Sequence, residues 1–192
     1  AAAIPDELKP VHRSYIKRLI HPIILCSPFV FRTYHKPLGY AGDYEMVSMM
    51  LRDPFEGGTL FAKMLNKLCL EIPPVIAHRN RIDYLRRVLN EECNRALAHG
   101  RVARIYNLGC GPAQEVQRFI DMDEMSDNAD FLLLDFNDET VEHATRILEE
   151  SRTRHRRRTA LQIVKKSVQQ VLKEGMKQDD DPEAGSFDLV YC

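Results

Sequence analysis

The chain has no tryptophan, no cysteine pair of the C-x-x-C form, no long apolar run and a formal charge of only −1, and each scarcity removes a class of protein. Its five cysteines (Cys26, Cys69, Cys93, Cys110, Cys192) are odd in number and scattered. They offer neither a disulfide framework nor a zinc knuckle, so a reducing cytoplasm is the expected setting. No stretch reaches the roughly 18 continuous apolar residues of a membrane span. The opening AAAIPDELKP does not resemble a secretory signal. Near-neutral charge argues against a surface coated in nucleic acid. The seven histidines have no ligand spacing with a nearby Cys or Asp, so no metal site is expected. No G-x-S-x-G element marks a hydrolase, and there is no internal repeat.

What is present is 192 residues at 44% apolar, enough for one good core or for one domain with a helical extension. The apolar period changes near residue 100. Residues 1–100 read as an all-helical N-terminal domain and 101–192 as an α/β domain. The chain starts without Met and stops at FDLVYC, a strand barely begun, so it reads as a piece of a longer protein. That last strand would leave an unpaired sheet edge, and the piece alone is expected to be poorly active.

In the first half, Leu8 to Ile20 forms the first expected helix, and Pro22 and Pro28 break the run HPIILCSPFVF. Arg32 to Val47 has no regular period until Glu45 and reads as a loop. It is either a plain turn-rich connection or a lid in which Tyr34, Tyr40 and Tyr44 offer flat faces with polar tips. Asp43, Tyr44 and His35 are candidates for a general base there. Thr59 to Ile72 spaces Leu60, Phe61, Met64, Leu65, Leu68 and Ile72 as the buried face of a helix. A third helix starts at Pro73 or Pro74 and ends at Gly100. Its polar side is a solvated face, with Arg79, near the helix start, the one candidate to meet a ligand.

The second half is organised around RIYNLGCGPAQEVQRFI, Arg104 to Ile120. Ile105 to Leu108 reads as a buried strand. Gly109, Cys110 and Gly111 form a turn, and Val116, Phe119 and Ile120 lie on one side of a helix. Glycines serve where φ is positive or where a ligand approaches the backbone with no Cβ in the way. A helix N-terminus also presents free N–H groups. Phe131 to Leu134 is a continuous apolar run, as in a parallel strand covered on both faces. Asp135 follows it, 24 residues beyond Gly111, close to the interval at which a dinucleotide fold places its ribose-binding acid. Asp138 is expected to cap the next helix, with Val141, Ala144, Ile147 and Leu148 buried. LQIVKKS gives a third strand, Ser167 to Gln170 has the form of a capping box, QDDDPEAGS is a surface loop, and FDLVYC is strand four. Strands alternating with helices predict a Rossmann-like parallel sheet.

The strand ends give the candidate site. A carboxylate accepts two hydrogen bonds from vicinal ribose hydroxyls, which suits Asp135. Phe136 would cover an adenine face, and Ser167 would reach the base edge. The bend at 109–111 and the carboxylate at 135 are expected to face one cavity and hold opposite ends of one adenosyl group. Cys110 lies near a helix N-terminus, which lowers a thiol pKa, or is simply a small residue tolerated there. Ser151 to Arg158 is read as helix-end charge, balanced by Asp179 to Asp181, in preference to a nucleic-acid contact.

A pyrophosphate fingerprint G-x-G-x-x-G asks for glycine at 114, where Gln114 stands. N-L-G-C-G-P-A instead resembles motif I of the class I methyltransferases that use S-adenosylmethionine, written acid-x-G-x-G-x-G. LLLDFN resembles their second motif, KKSVQQVL the third region and FDLVYC the fourth strand, so the resemblance covers Val102 to Cys192. Asn107 stands at the acid position and Ala113 at the third glycine. KPLGYAGDYEM and AHRNRIDYL resemble the helical N-terminal region of bacterial methyltransferases of the extracellular-factor type. That resemblance implies S-adenosylmethionine held by Asn107, Gly109, Cys110, Gly111, Asp135, Phe136 and Ser167. By analogy with other helical caps, Tyr40, Tyr44 and Arg79 would fold over the site, and the acceptor would be a small or lipid-like molecule. The rival readings are a nicotinamide-dependent oxidoreductase, a non-catalytic binding module of the same fold, and a nucleic-acid methyltransferase using Arg152 to Arg158.

Overall fold

In the computed structural model, residues 4–175 and 186–192 are described. The surface loop expected over QDDDPEAGS, with Asp179 to Asp181 in it, lies almost wholly outside the described residues. The chain divides into two compact units, Ala1–His78 and Arg79–Cys192.

The first unit is helical among its described residues: α1 (Lys9–Leu19), α2 (His21–Ile24), α3 (Pro28–His35), α4 (Tyr44–Leu51), α5 (Leu60–Leu70) and the start of α6 (Pro73–Ala98). Pro10, Pro22 and Pro28 all fall in first turns, where a missing N–H costs nothing and the fixed φ suits the helix. The prolines therefore open helices in addition to interrupting the apolar run. Ser27 caps α3 through the N–H of Val30 at 3.3 Å. Arg32 to His35 consequently form the last turn of a helix and not part of the expected loop, which begins only at Lys36, a left-handed residue with φ +49°. The loop closes at Asp43, whose Oδ1 accepts from Met46 N–H, capping α4, and from Arg32 Nε, both at 2.8 Å.

Helix α5 turns a different face inward from the one its large residues suggest. Ala62, Asn66 and Leu70 are buried, whereas Leu60, Phe61, Met64 and Leu68 are exposed. Two contacts set this rotation. A Cβ at Gly57 would lie 2.8 Å from the Cβ of Ala62, so the backbone there packs directly on the small face of the helix. The buried amide of Asn66 accepts from Ser27 Oγ at 2.7 Å and Phe29 N–H at 2.9 Å, and donates to Pro54 O at 2.8 Å. A buried amide must find such partners, and they outweigh the apolar stripe. The large residues line an open apolar groove of about 560 Å³ with Phe55 at its side. The small core of this unit is Phe29, Met49, Met50, Leu70 and Val75.

The second unit is an α/β fold. After the rest of α6 come β1 (Ala103–Leu108), α7 (Gln114–Met122), β2 (Ala129–Asp135), α8 (Asp138–His155), β3 (Ala160–Lys165), α9 (Val168–Gly175) and β4 (Leu189–Tyr191). All pairings are parallel, in the order β3-β2-β1-β4, with Asn107 opposite both Leu133 and Tyr191. The chain thus runs outward from β1 to β3 and then returns to the other side of β1, a Rossmann-like arrangement whose order reverses beside β1. Ala103, Ile105, Phe131 and Leu133 point into a core shared with Leu89 and Cys93 of α6, Val116, Phe119 and Ile120 of α7, and Ala144 and Leu148 of α8. Along β2 the alternate residues are less covered: Asp130 is exposed and Leu132 half-buried. One face of β2 is sealed and the other only partly, unlike the two sealed faces its apolar run predicts.

Two caps correct or fulfil the sequence reading. Asn137, not Asp138, caps α8, accepting from Thr140 N–H at 3.0 Å, while Asp138 pairs with Lys165 Nζ at 2.6 Å. At α9 the capping box forms in both directions: Ser167 N–H donates to Gln170 Oε1 at 2.7 Å and Gln170 N–H to Ser167 Oγ at 3.3 Å. No helix among the described residues is long and apolar enough to cross a membrane.

Candidate functional site

The site is built at the carboxyl ends of β1 and β2, beside the reversal in strand order. Gly109, Gly111 and Ala113 take left-handed backbone, with φ of +80°, +54° and +48°. The chain therefore bends at every second residue before α7 begins at Gln114. The bend is fastened to β2, because Gly109 N–H and Cys110 N–H both donate to Leu134 O at 2.8 Å. A Cβ at Gly109 or Gly111 would meet no atom within 4 Å beyond its chain neighbours, so open space lies against the turn at both positions. Ala113 is fully buried, and with its Cβ it adopts a conformation that costs an L-residue about 1–2 kcal/mol.

Asp135 joins this bend directly. Its Oδ2 accepts from Gly111 N–H at 3.2 Å and its Oδ1 from Asn137 N–H at 3.0 Å. The carboxylate and the bend lie side by side, but Gly111 N–H and the nearly buried carboxylate are bonded to each other, where the sequence reading expects a cavity between them. Each carboxylate oxygen keeps a second lone pair, so a hydroxyl donor can still bind without breaking either bond. Phe136 follows as an exposed ring. Lys166 N–H donates to Asp135 O at 2.8 Å and draws the end of β3 alongside, where Ser167 Oγ accepts from Gln170 N–H as the cap of α9.

Behind the bend lies a buried polar group that the sequence reading missed. Glu115, in the first turn of α7, receives Asn107 Nδ2 at 3.1 Å and Tyr191 Oη at 2.9 Å, both on Oε1. Asn107, Glu115 and the core residues around them are nearly inaccessible, and Asn107 Oδ1 is buried with no hydrogen-bond partner. Burial pushes the Glu115 carboxyl above its usual range, opposed by its own backbone N–H, the Tyr191 hydroxyl and the charge of Arg81. Burial, together with Glu115, likewise holds the Tyr191 phenol well above its usual value. The one signal available in the sequence was an acid eight residues beyond an amide. Cys110 is buried and donates to Gly111 O at 3.6 Å. Burial, Asp135 and Glu115 raise its thiol pKa far out of the reactive range, so the helix-end effect does not produce a thiolate.

The remaining candidates belong to other segments of the chain. Tyr40, half-buried in the loop after α3, and Tyr44, the first residue of α4, belong to the first unit. Arg79 is a half-buried residue of α6 at the start of the second unit. Asp43 is buried, with its Oδ1 accepting from Arg32 Nε and from Met46 N–H. The ring of His35 lies tilted against Phe31 and edge-on to Tyr34. Three of the five arginines in 152–158 have local partners: Arg152 with Glu149 at 2.6 Å, Arg157 Nε with Ile120 O at 3.1 Å, and Arg158 N–H with Asp127 Oδ1 at 2.7 Å. No group of three or more metal-ligating side chains occurs among the described residues.

Comparison with protein-family models, curated proteins and solved structures finds no match to this chain.

Proposed function

We propose that the second unit binds S-adenosylmethionine and that the protein is a methyltransferase of the class I type acting on a small or lipid-like acceptor. The observation that carries this reading is the spacing of the left-handed residues. They stand at 109, 111 and 113, with the carboxylate of Asp135 bonded to the middle one. A pyrophosphate loop with glycines at the first, third and sixth positions would place its third bend at 114, which here is already helix. The spacing therefore favours an adenosyl ligand without a diphosphate over a nicotinamide dinucleotide.

The residues present fit such a group. Open space beside Gly109 and Gly111 admits a ligand against the main chain. The spare lone pairs of Asp135 suit vicinal hydroxyls, and the exposed ring of Phe136 suits a base face. Asn107, Glu115 and Tyr191 tie the end of β1, the start of α7 and β4 together beneath the bend, which fixes its shape before a ligand arrives. When bound, the cofactor supplies a sulfonium methyl that is already strongly electrophilic. The protein's share is then chiefly holding and orienting the reactants, an effect worth up to about 7–11 kcal/mol.

Calorimetric titration of the protein with S-adenosylmethionine and, separately, with the oxidised nicotinamide dinucleotide tests the reading. Binding of the first and not the second is expected. Binding of the dinucleotide alone would reverse the assignment. Tight cofactor binding with no methyl transfer to any acceptor would favour a non-catalytic module of the same fold.

A further inference from the structure

We propose that α1 is a membrane-surface helix that docks on a bilayer containing anionic lipid. Every residue from Ile4 to Ile20 is exposed, including Leu8, Val11, Tyr15, Ile16 and Leu19. Leu8, Val11, Tyr15 and Leu19 recur at three- and four-residue spacing and share one side of the helix, with Ile16 beside them. A chain exposes so many large apolar groups on one helix only where something else covers them.

The charge on the rest of α1 says what that cover is. The segment KPVHRSYIKRL carries four cations and no carboxylate. Lys9 and Arg13 lie along one edge of the apolar side, which also carries His12; Lys17 and His21 continue their row at four-residue spacing toward the far face, and Arg18 lies on the opposite edge. Lys9 pairs with Asp6, while among the described residues no carboxylate pairs with Arg13, Lys17 or Arg18. A groove of about 410 Å³ runs along the row and sets Ile16 and Tyr34 beside Lys9, Arg13 and Lys17. An apolar side flanked on both edges by long cations matches the boundary between acyl chains and anionic headgroups. The cations snorkel to phosphate while their stems and the apolar side sink.

The same layout disfavours the other occupants. A second copy of α1 laid against the first would bring cation against cation at both edges of the seam. Nucleic acid would take up the cations but leave the apolar side in water. The proposal rests on α1 alone and stands whether or not the second unit binds a cofactor.

Because the chain contains no tryptophan, Tyr15→Trp gives a single emitter on the apolar side. The full chain would be mixed with vesicles of phosphatidylcholine alone or of phosphatidylcholine with phosphatidylglycerol. The expected result is a blue shift and co-sedimentation with the anionic vesicles only, weakened by added salt. Arg13→Gln with Lys17→Gln, or Val11→Ser with Leu19→Ser, should each lower the bound fraction roughly tenfold. These side chains lie outside both cores, and an unchanged circular dichroism spectrum verifies folding of each variant. No binding to anionic vesicles, or binding unaffected by either double variant, would overturn the proposal. So would a dimer on gel filtration that the Val11→Ser, Leu19→Ser variant dissociates, or salt-sensitive RNA binding in place of vesicle binding.

Discussion

The main-chain N–H of Gly111 and the carboxylate of Asp135 are bonded to each other, 3.2 Å apart, across the ends of two adjacent parallel strands. The bond makes the glycine bend and the acid one unit. Shifting either moves the other, and the unit's shape is set by the register of β1 against β2.

The first prediction follows from that unit. Asp135→Asn keeps an acceptor for Gly111 N–H but turns its Nδ2 donor toward Asn137 N–H, and it loses the charge and one acceptor that two hydroxyls require. It should weaken S-adenosylmethionine binding at least about tenfold, equivalent to roughly 1.4 kcal/mol. Asp135→Ala, which releases both Gly111 N–H and Asn137 N–H, should weaken it further and lower thermal stability. Calorimetry on the folded variants decides the matter, and an unchanged dissociation constant removes Asp135 from the site.

Ala113 stands in left-handed backbone in a fully buried place. Glycine there relieves the clash of Cβ with its own carbonyl at the cost of a freer unfolded chain. The balance favours the variant, so Ala113→Gly should stabilise the fold by up to about 1 kcal/mol. Chemical denaturation measures it directly. A loss of stability would mean that the Ala113 methyl contributes more packing than its conformation costs.

Glu115 offers a pH test. Burial raises its folded pKa above the unfolded value, which for a free glutamate is about 4.3. Below that value both states are protonated and the group has no effect on stability. As pH rises through the window between the unfolded and folded values, the unfolded state ionises first and stability falls. Glu115→Gln cannot ionise, so the wild type should lose stability relative to the variant across that window and keep a constant difference above it. Parallel denaturation curves for the two proteins through the same window would show that Glu115 titrates normally.

Much of this unit was legible because its signals are local. The glycine spacing, the acid after an apolar run and the S-x-x-Q box each depend on a few neighbouring residues, and the bend at 109–111 and the cap at Ser167 follow from them. What escaped depends on distant partners. Helix α5 presents its small face inward because Gly57 packs on Ala62 and because Asn66 finds Ser27 and Phe29, contacts that no periodicity encodes. Glu115 is buried only because Asn107 and Tyr191 converge on it from two strands. The cap of α8 fell one residue early, on Asn137, whose Oδ1 accepts from both the N–H and the hydroxyl of Thr140, while Asp138 makes an exposed pair with Lys165.

The opposite pH dependence is expected at the other end of the sheet, where Asp188 fastens β4 to β1. Its Oδ2 accepts Arg104 N–H at 2.9 Å, its Oδ1 pairs with Arg101 Nη1 at 2.5 Å, and its own N–H donates to Arg104 O at 2.8 Å. Burial alone would raise its pKa. The Arg104 N–H, the hydrogen bond and charge of Arg101, and the charge of Arg95 together outweigh that and hold the carboxyl below its usual value. A depressed folded pKa contributes stability that is complete above the unfolded value, about 3.9, and is lost as pH falls through the folded one. Asp188→Asn retains an acceptor for Arg104 N–H but not the charge. The wild type should therefore exceed the variant in stability at neutral pH, and the two should converge in acid below the folded pKa. Convergence fails if the Arg101 pair contributes nothing, since the two melting curves would then differ by the same amount at every pH.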